Sequence, residues 1–138
     1  MGCDIHTHVE RYDPVTEQWV GIKTTGYEAK AQGRDYELFA KLAGVRGNGP
    51  EPRGMPDDIS PYVRWELESW EADAHSHSWC PLLDFITIGE GTPLPKIKDI
   101  STKVYEWFHI NLPERYTDKE VDILKLQTGY RVVFWFDN

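Results

Sequence analysis

The run Tyr130-Arg131-Val132-Val133-Phe134-Trp135-Phe136 limits the fold more than any other stretch of this chain. It is apolar, β-branched and aromatic, it follows a glycine, and it is too short for a buried helix, so it suits a central strand. The other end of the chain reads as a strand of a different kind. From Gly2 to Arg11, Cys3, Ile5, Thr7 and Val9 alternate with Asp4, His6, His8 and Glu10, which is the period of a half-buried strand. A turn at Tyr12-Asp13-Pro14 leads into Gln18 to Lys23, a second strand, and together these predict a hairpin.

Between the two ends the pattern turns helical. Leu38, Phe39, Leu42 and Val45 predict a helix over 35–45 closed by Gly44 and Gly47. The Gly- and Pro-rich stretch 46–58 excludes ordinary helix and central strand, and loops of that length tend to be functional or disordered. Ser60 with Pro61 opens a helix to about Glu71, with Val63, Leu67 and Trp70 on one face and Tyr62 and Trp65 widening it. It delivers the chain into 73–79, read as a ligand loop, and Pro81 to Ile88 fits either helix or strand. Ile97, Ile100, Val104, Trp107 and Phe108 carry the strongest helical period, and Thr117 with Glu120 suggests a capping box for a helix to about Gln127, ended by Gly129. The expected architecture is one α+β domain: a small mixed or antiparallel sheet made by the N-terminal hairpin and the C-terminal strand, with three to five helices packed on one side.

Function is suggested by histidine spacing. Asp4-Ile5-His6-Thr7-His8 reappears as Asp73-Ala74-His75-Ser76-His77, and these two D-x-H-x-H copies hold four of the five histidines. Side chains two apart on an extended chain share a face, so each copy presents a carboxylate and two imidazoles together. Imidazole and carboxylate are ligands for a divalent transition metal, zinc or manganese foremost. Asp4, His6, His75 and His77 are the expected metal ligands, with His8, Asp73 and Glu10 as further ligands or proton-transfer groups, His8 and Asp73 foremost in the catalytic role. The alternative is that the histidines are ordinary surface or core residues, or that the metal is structural. Arg46 and Arg53 are candidate anion-binding residues through their guanidinium forks, and Trp79 is a candidate wall of the same site. Cys80, beside His77, reads either as a ligand or nucleophile or as a small buried apolar residue.

Charge narrows the partners. Fifteen basic against twenty-three acidic residues give a net charge of −8, a poor field for tracking a nucleic-acid polymer. A small anionic or nucleotide-like ligand, a host protein or a second copy of the chain remains as partner. No apolar run approaches the roughly 20 residues that cross a bilayer, so no membrane partner is expected. With only Cys3 and Cys80, and no basic and apolar leader at the start, reduced thiols in a cytoplasmic protein are expected.

Two resemblances bear on these readings. The D-x-H-x-H string near the start resembles the first-strand signature of amidohydrolase-type and polymerase-and-histidinol-phosphatase-type metal hydrolases. That resemblance covers five residues and implies shared chemistry without the barrel, which needs more βα units than this chain supplies. The combination Gly2-Cys3-Asp4-Ile5-His6, Tyr36 to Arg46, Arg53 to Ser60, His75 to Trp79 and Val133 to Asn138 resembles a group of small uncharacterised proteins of tailed bacteriophages. It spans nearly the whole chain and implies a phage-encoded protein in the bacterial cytoplasm. By analogy it extends to action on a host defence nucleotide signal. The leading expectation is therefore a metal-dependent hydrolase of a small phosphorylated or nucleotide-like substrate; the alternative is a non-catalytic protein that sequesters a ligand or covers a host protein.

Overall fold

The structure is a computed structural model, and it describes residues 4–22, 31, 36–44, 49–69, 73–93, 99–113, 116 and 119–137. The alternating N-terminal run forms β1 (Asp4–Asp13), with Ile5, Thr7 and Val9 buried on one side. The turn after it returns the chain as β2 (Gln18–Ile22), antiparallel to β1 with Asp13 opposite Gln18 and Val9 opposite Ile22. Next comes α1 (Tyr36–Ala43), which stops at Gly44. Gly44 adopts φ 68, a conformation that costs glycine little, and its N–H donates to the Ala40 carbonyl at 2.9 Å.

Segment 49–60 has no regular structure, as its glycines and prolines require. It ends at α2 (Pro61–Ser69), where the Ser60 hydroxyl accepts the Val63 N–H at 3.3 Å and Pro61 occupies the first helical position. Then follow β3 (His75–Pro81) and α3 (Leu82–Glu90) without a break. Helix α4 (Ile100–Phe108) is opened by Asp99, whose carboxylate accepts the Thr102 N–H at 3.3 Å. Helix α5 (Glu120–Gly129) runs directly into β4 (Tyr130–Asp137).

The four strands lie in the order β2-β1-β4-β3, and every neighbouring pair is antiparallel. The two ends of the chain are thus side by side at the centre of the sheet, with Asp4 opposite Asp137 and Arg11 opposite Tyr130. This is the expected α+β architecture, and β4 is the expected central strand. All eight of its residues are buried, because both faces of the sheet are covered. Val132, Phe134 and Phe136 join Ile5, Val9 and Cys80 in a core with residues of α1, α3, α4 and α5. Val133 and Trp135 face the other way, against Ile59 and Val63, with Tyr62, Leu67 and Trp79 packed around them. A fully buried Phe or Val is worth about 1.5–3 kcal/mol, so the apolar run of β4 outweighs any one helix cap, worth about 1 kcal/mol.

Several expectations are corrected. The helices do not all lie on one side: α2 covers the face opposite to the other four, because Val133 and Trp135 need cover as much as their neighbours do. Trp65 does not widen the apolar face of α2; it is 65% exposed. The stretch read as a ligand loop is largely strand, since β4 offers its polar residues a ladder, and Leu82 onward is helix. The cap position of α5 is Lys119, with no side-chain cap, so Glu120 is not the third residue of a box opened by Thr117. Trp70, Ile97 and Thr117 lie outside the described residues.

Candidate functional site

On β1 the alternation places Asp4, His6, His8 and Glu10 together on the face of Trp135, as expected. His6 is the register partner of Trp135, and the two rings stack with centroids 5.9 Å apart and planes 19° apart. His8 stacks on the same indole at 5.0 Å and 22°, and meets Tyr62 edge-on at 6.0 Å. One indole thus carries two imidazoles. Trp135 is fully buried, and its Nε1–H has no hydrogen-bond partner among the described residues.

Asp137 is the residue that spacing alone did not reveal. The His6 Nε2–H donates to the Asp137 Oδ2 at 2.6 Å, a contact that holds the ring in one orientation and one tautomer. Both side chains reach solvent in part, at 20% and 11% exposure. A signal for Asp137 was available: once the two chain ends pair antiparallel, Asp137 falls opposite Asp4, diagonal to His6.

His8 differs from His6. Burial, with the charge of His6 as the smaller cause, depresses its pKa to about 4. It therefore stays neutral near physiological pH, which makes it a weak base and suits the ligand role expected of it better than the proton-transfer role. Glu10 is likewise committed. Its carboxylate is fully buried, accepts Arg131 Nε–H at 2.7 Å through Oε1, and accepts the Ser60 N–H at 2.6 Å through Oε2. Arg131 goes on to donate to Asp58 Oδ1 at 2.9 Å and lies 4.0 Å over the Trp19 ring. Glu10 thus anchors segment 49–60 to the sheet instead of serving a reaction.

The second copy is laid out otherwise. Asp73 is exposed and precedes β3. His75 pairs with Phe136 and Ser78 with Phe134, so three steps on β3 match two on β4. Such a bulge is what its backbone records, with Ser76 at φ 54. His75 lies with the helix-side residues, stacked on Phe136 at 6.1 Å, its Nδ1 2.9 Å from the Ser76 hydroxyl. Ser78 and Cys80 pair with Phe134 and Val132 on that same side, so alternation turns His77 and Trp79 toward the face of Trp135. Burial lowers the His77 pKa, and the His75 charge adds to this.

His6, Trp135 and His77 therefore form a row across three strands. Neighbouring strands are about 4.8 Å apart, which separates the His6 and His77 backbones by roughly 10 Å with the indole between. The expected convergence of Asp4, His6, His75 and His77 on one ion is not what the fold provides: His75 belongs to the other face. Among the described residues no three His, Cys, Asp or Glu side chains are grouped so as to hold an ion.

Two expected ligand-binding residues do come together. The Arg53 guanidinium carbon lies 5.2 Å from the centroid of the Trp79 ring, within the range of a cation–π contact. Arg53 is exposed while its backbone is fixed: its N–H donates to Ser78 Oγ at 3.0 Å, and the Gly54 N–H donates to the His77 carbonyl at 2.9 Å. Arg46 lies outside the described residues. Cys80 is a buried core thiol whose pKa burial pushes up to about 12, which removes it as a nucleophile.

Comparison with family models, with curated proteins and with solved structures finds no match to this chain. Among the described residues no helix is long and apolar enough to cross a membrane.

Proposed function

We propose that the chain hydrolyses a small phosphorylated or nucleotide-like compound on the Trp135 face of its sheet. The observation that supports this most is the 2.6 Å bond between His6 and Asp137 at a partly exposed position. In this reading Asp137 orients the imidazole, which takes a proton from the attacking water and returns it to the leaving oxygen as the phosphorus–oxygen bond breaks. Arg53, on the same face, receives the anion through its guanidinium fork. A zinc or manganese ion would need Asp4, His6 and His77 to turn toward one another, with His6 binding through Nδ1 while its Nε2–H stays on Asp137. The donor set does not fit an ion as it stands, so no step is assigned to one. Following the phage resemblance, the substrate would be a host defence nucleotide.

The test is to incubate untagged protein with a panel of nucleotides and phosphoesters and to follow products by mass spectrometry, beside elemental analysis of the same sample. A hydrolysed product is expected, with kcat lowered about 10²–10⁴-fold in His6→Ala and KM raised in Arg53→Ala. Ligand recovered intact would overturn the proposal in favour of a binding protein, a reading that exposed Arg53 over half-buried Trp79 supports. A stoichiometric transition metal whose removal abolishes turnover would overturn the metal-free course of the reaction.

A further inference from the structure

The end of the sheet away from His6 carries an open pocket of about 560 Å³, lined in part by Arg11, Tyr12, Pro113, Tyr116, Lys125 and Tyr130. Arg11 and Tyr130 are register partners on β1 and β4, five steps along the ladder from His6 and Trp135. At about 3.4 Å per residue, the two places are roughly 17 Å apart. They cannot share one small ligand.

The lining runs against the character of the chain. Net charge is −8, yet among the described residues the charged groups that line the pocket are Arg11 and Lys125. Asp13, close enough to feel the Arg11 charge, is occupied by its own turn, its carboxylate accepting the Val15 N–H at 2.9 Å. Two phenol rings, Tyr116 and Tyr130, complete the walls. Tyr116 and Tyr130 are buried in the core cluster, which gives their rings fixed positions, whereas the Tyr12 ring turns to the Trp135 face and meets Trp19 edge-on at 5.3 Å.

Each part of this lining answers to a different part of a ligand. A guanidinium offers paired donors to a phosphate and the ammonium a second charge. Tyrosine rings offer flat apolar surface to a planar ring, and their hydroxyls hydrogen-bond to its edge. Inorganic phosphate would leave two rings unused, and a neutral aromatic would leave two cations unused. The volume falls within the usual range of small-ligand sites. We propose that this pocket binds a planar aromatic anion of the mononucleotide class, at a site separate from the His6–Asp137 face and independent of any hydrolysis there.

Isothermal titration calorimetry of the whole chain with adenosine 5′-monophosphate, uridine 5′-monophosphate, adenosine and inorganic phosphate tests this directly. At least one monophosphate is expected to bind about tenfold more tightly than adenosine or phosphate, because only it engages both kinds of wall. The Arg11→Ala, Lys125→Ala double variant changes exposed side chains and should weaken that binding about tenfold or more, while His6→Ala leaves it unchanged. Three outcomes overturn the proposal: no binding by either nucleotide, equal affinity for inorganic phosphate, or affinity that survives the double change. Binding lost in His6→Ala and kept in the double variant would move the ligand to the other end of the sheet.

Discussion

On β1 the motif Asp4-Ile5-His6-Thr7-His8 follows a regular ladder, and its polar side chains look to one side of the sheet; on β3 the same spacing crosses a bulge, and His75 and His77 part to opposite sides. The first copy gains a partner 131 positions away, Asp137. The second gains a stacking contact with Phe136 and a bond to its own neighbour, Ser76. Equal spacing thus means a shared face only while the strand is regular. One extra residue reverses it.

The largest effect expected from breaking the regular side is at Glu10. Removing one member of a buried, hydrogen-bonded ion pair costs about 3–5 kcal/mol, so Glu10→Ala should lower stability by that order in urea unfolding. Asp73→Ala, at the exposed head of the second copy, should stay within about 0.5 kcal/mol. Similar losses at the two positions would erase the contrast.

Acid should act on the first copy next most strongly. The His8 pKa is depressed on folding to about 4 from 6.5, so between those values the unfolded chain binds the extra proton. Stability is then intact above about pH 6.5, falls as pH drops toward 4, and levels off below, by about 3 kcal/mol in all. His8→Gln should flatten that slope when unfolding is followed across this window. His77→Gln should leave most of it, because His77 is less buried; if His77 carries the slope, the ranking of the copies is reversed.

Smaller again is the effect at the His6 pair. His6→Ala leaves the nearly buried Asp137 carboxylate without this partner, at a cost of about 1–3 kcal/mol. A greater loss from His75→Ala would show the second copy to be the better anchored. The smallest change should come from the bulge itself: Ser76→Gly relieves a left-handed residue and should raise stability by about 0.5–1 kcal/mol. Thr7→Gly, at the regular position, should lower it. Both are read as shifts in unfolding midpoint.

Much of the fold was legible because single elements declared themselves. The alternation of β1, the apolar run of β4 and the Ser60-Pro61 start of α2 are local signals, and each was matched by what formed. Strand β3 was not legible, since His75 to Trp79 lacks an apolar alternation and becomes strand only by pairing with β4. The side taken by α2 had a signal that went unread: Val133 and Trp135 are as apolar as Phe134 and Phe136, and a strand apolar on both sides calls for cover on both. The site was half legible. The shared face of Asp4, His6, His8 and Glu10 followed from spacing, whereas Asp137, the meeting of Arg53 with Trp79 and the turning of His75 depend on register and tertiary contact, which no spacing within one segment records.

The bond from the Gly54 N–H to the His77 carbonyl has a consequence for how these molecules behave toward one another in concentrated solution. β3 is the outermost strand on its side of the sheet, and an outermost strand with a free row of backbone groups invites a neighbouring chain to add on. Here segment 49–60 occupies that row at the His77 carbonyl and also holds the Ser78 hydroxyl, and the kink at Ser76 breaks the even repeat a newcomer would have to match. The same irregularity that parts the histidines thus works against the addition of a further strand at this border.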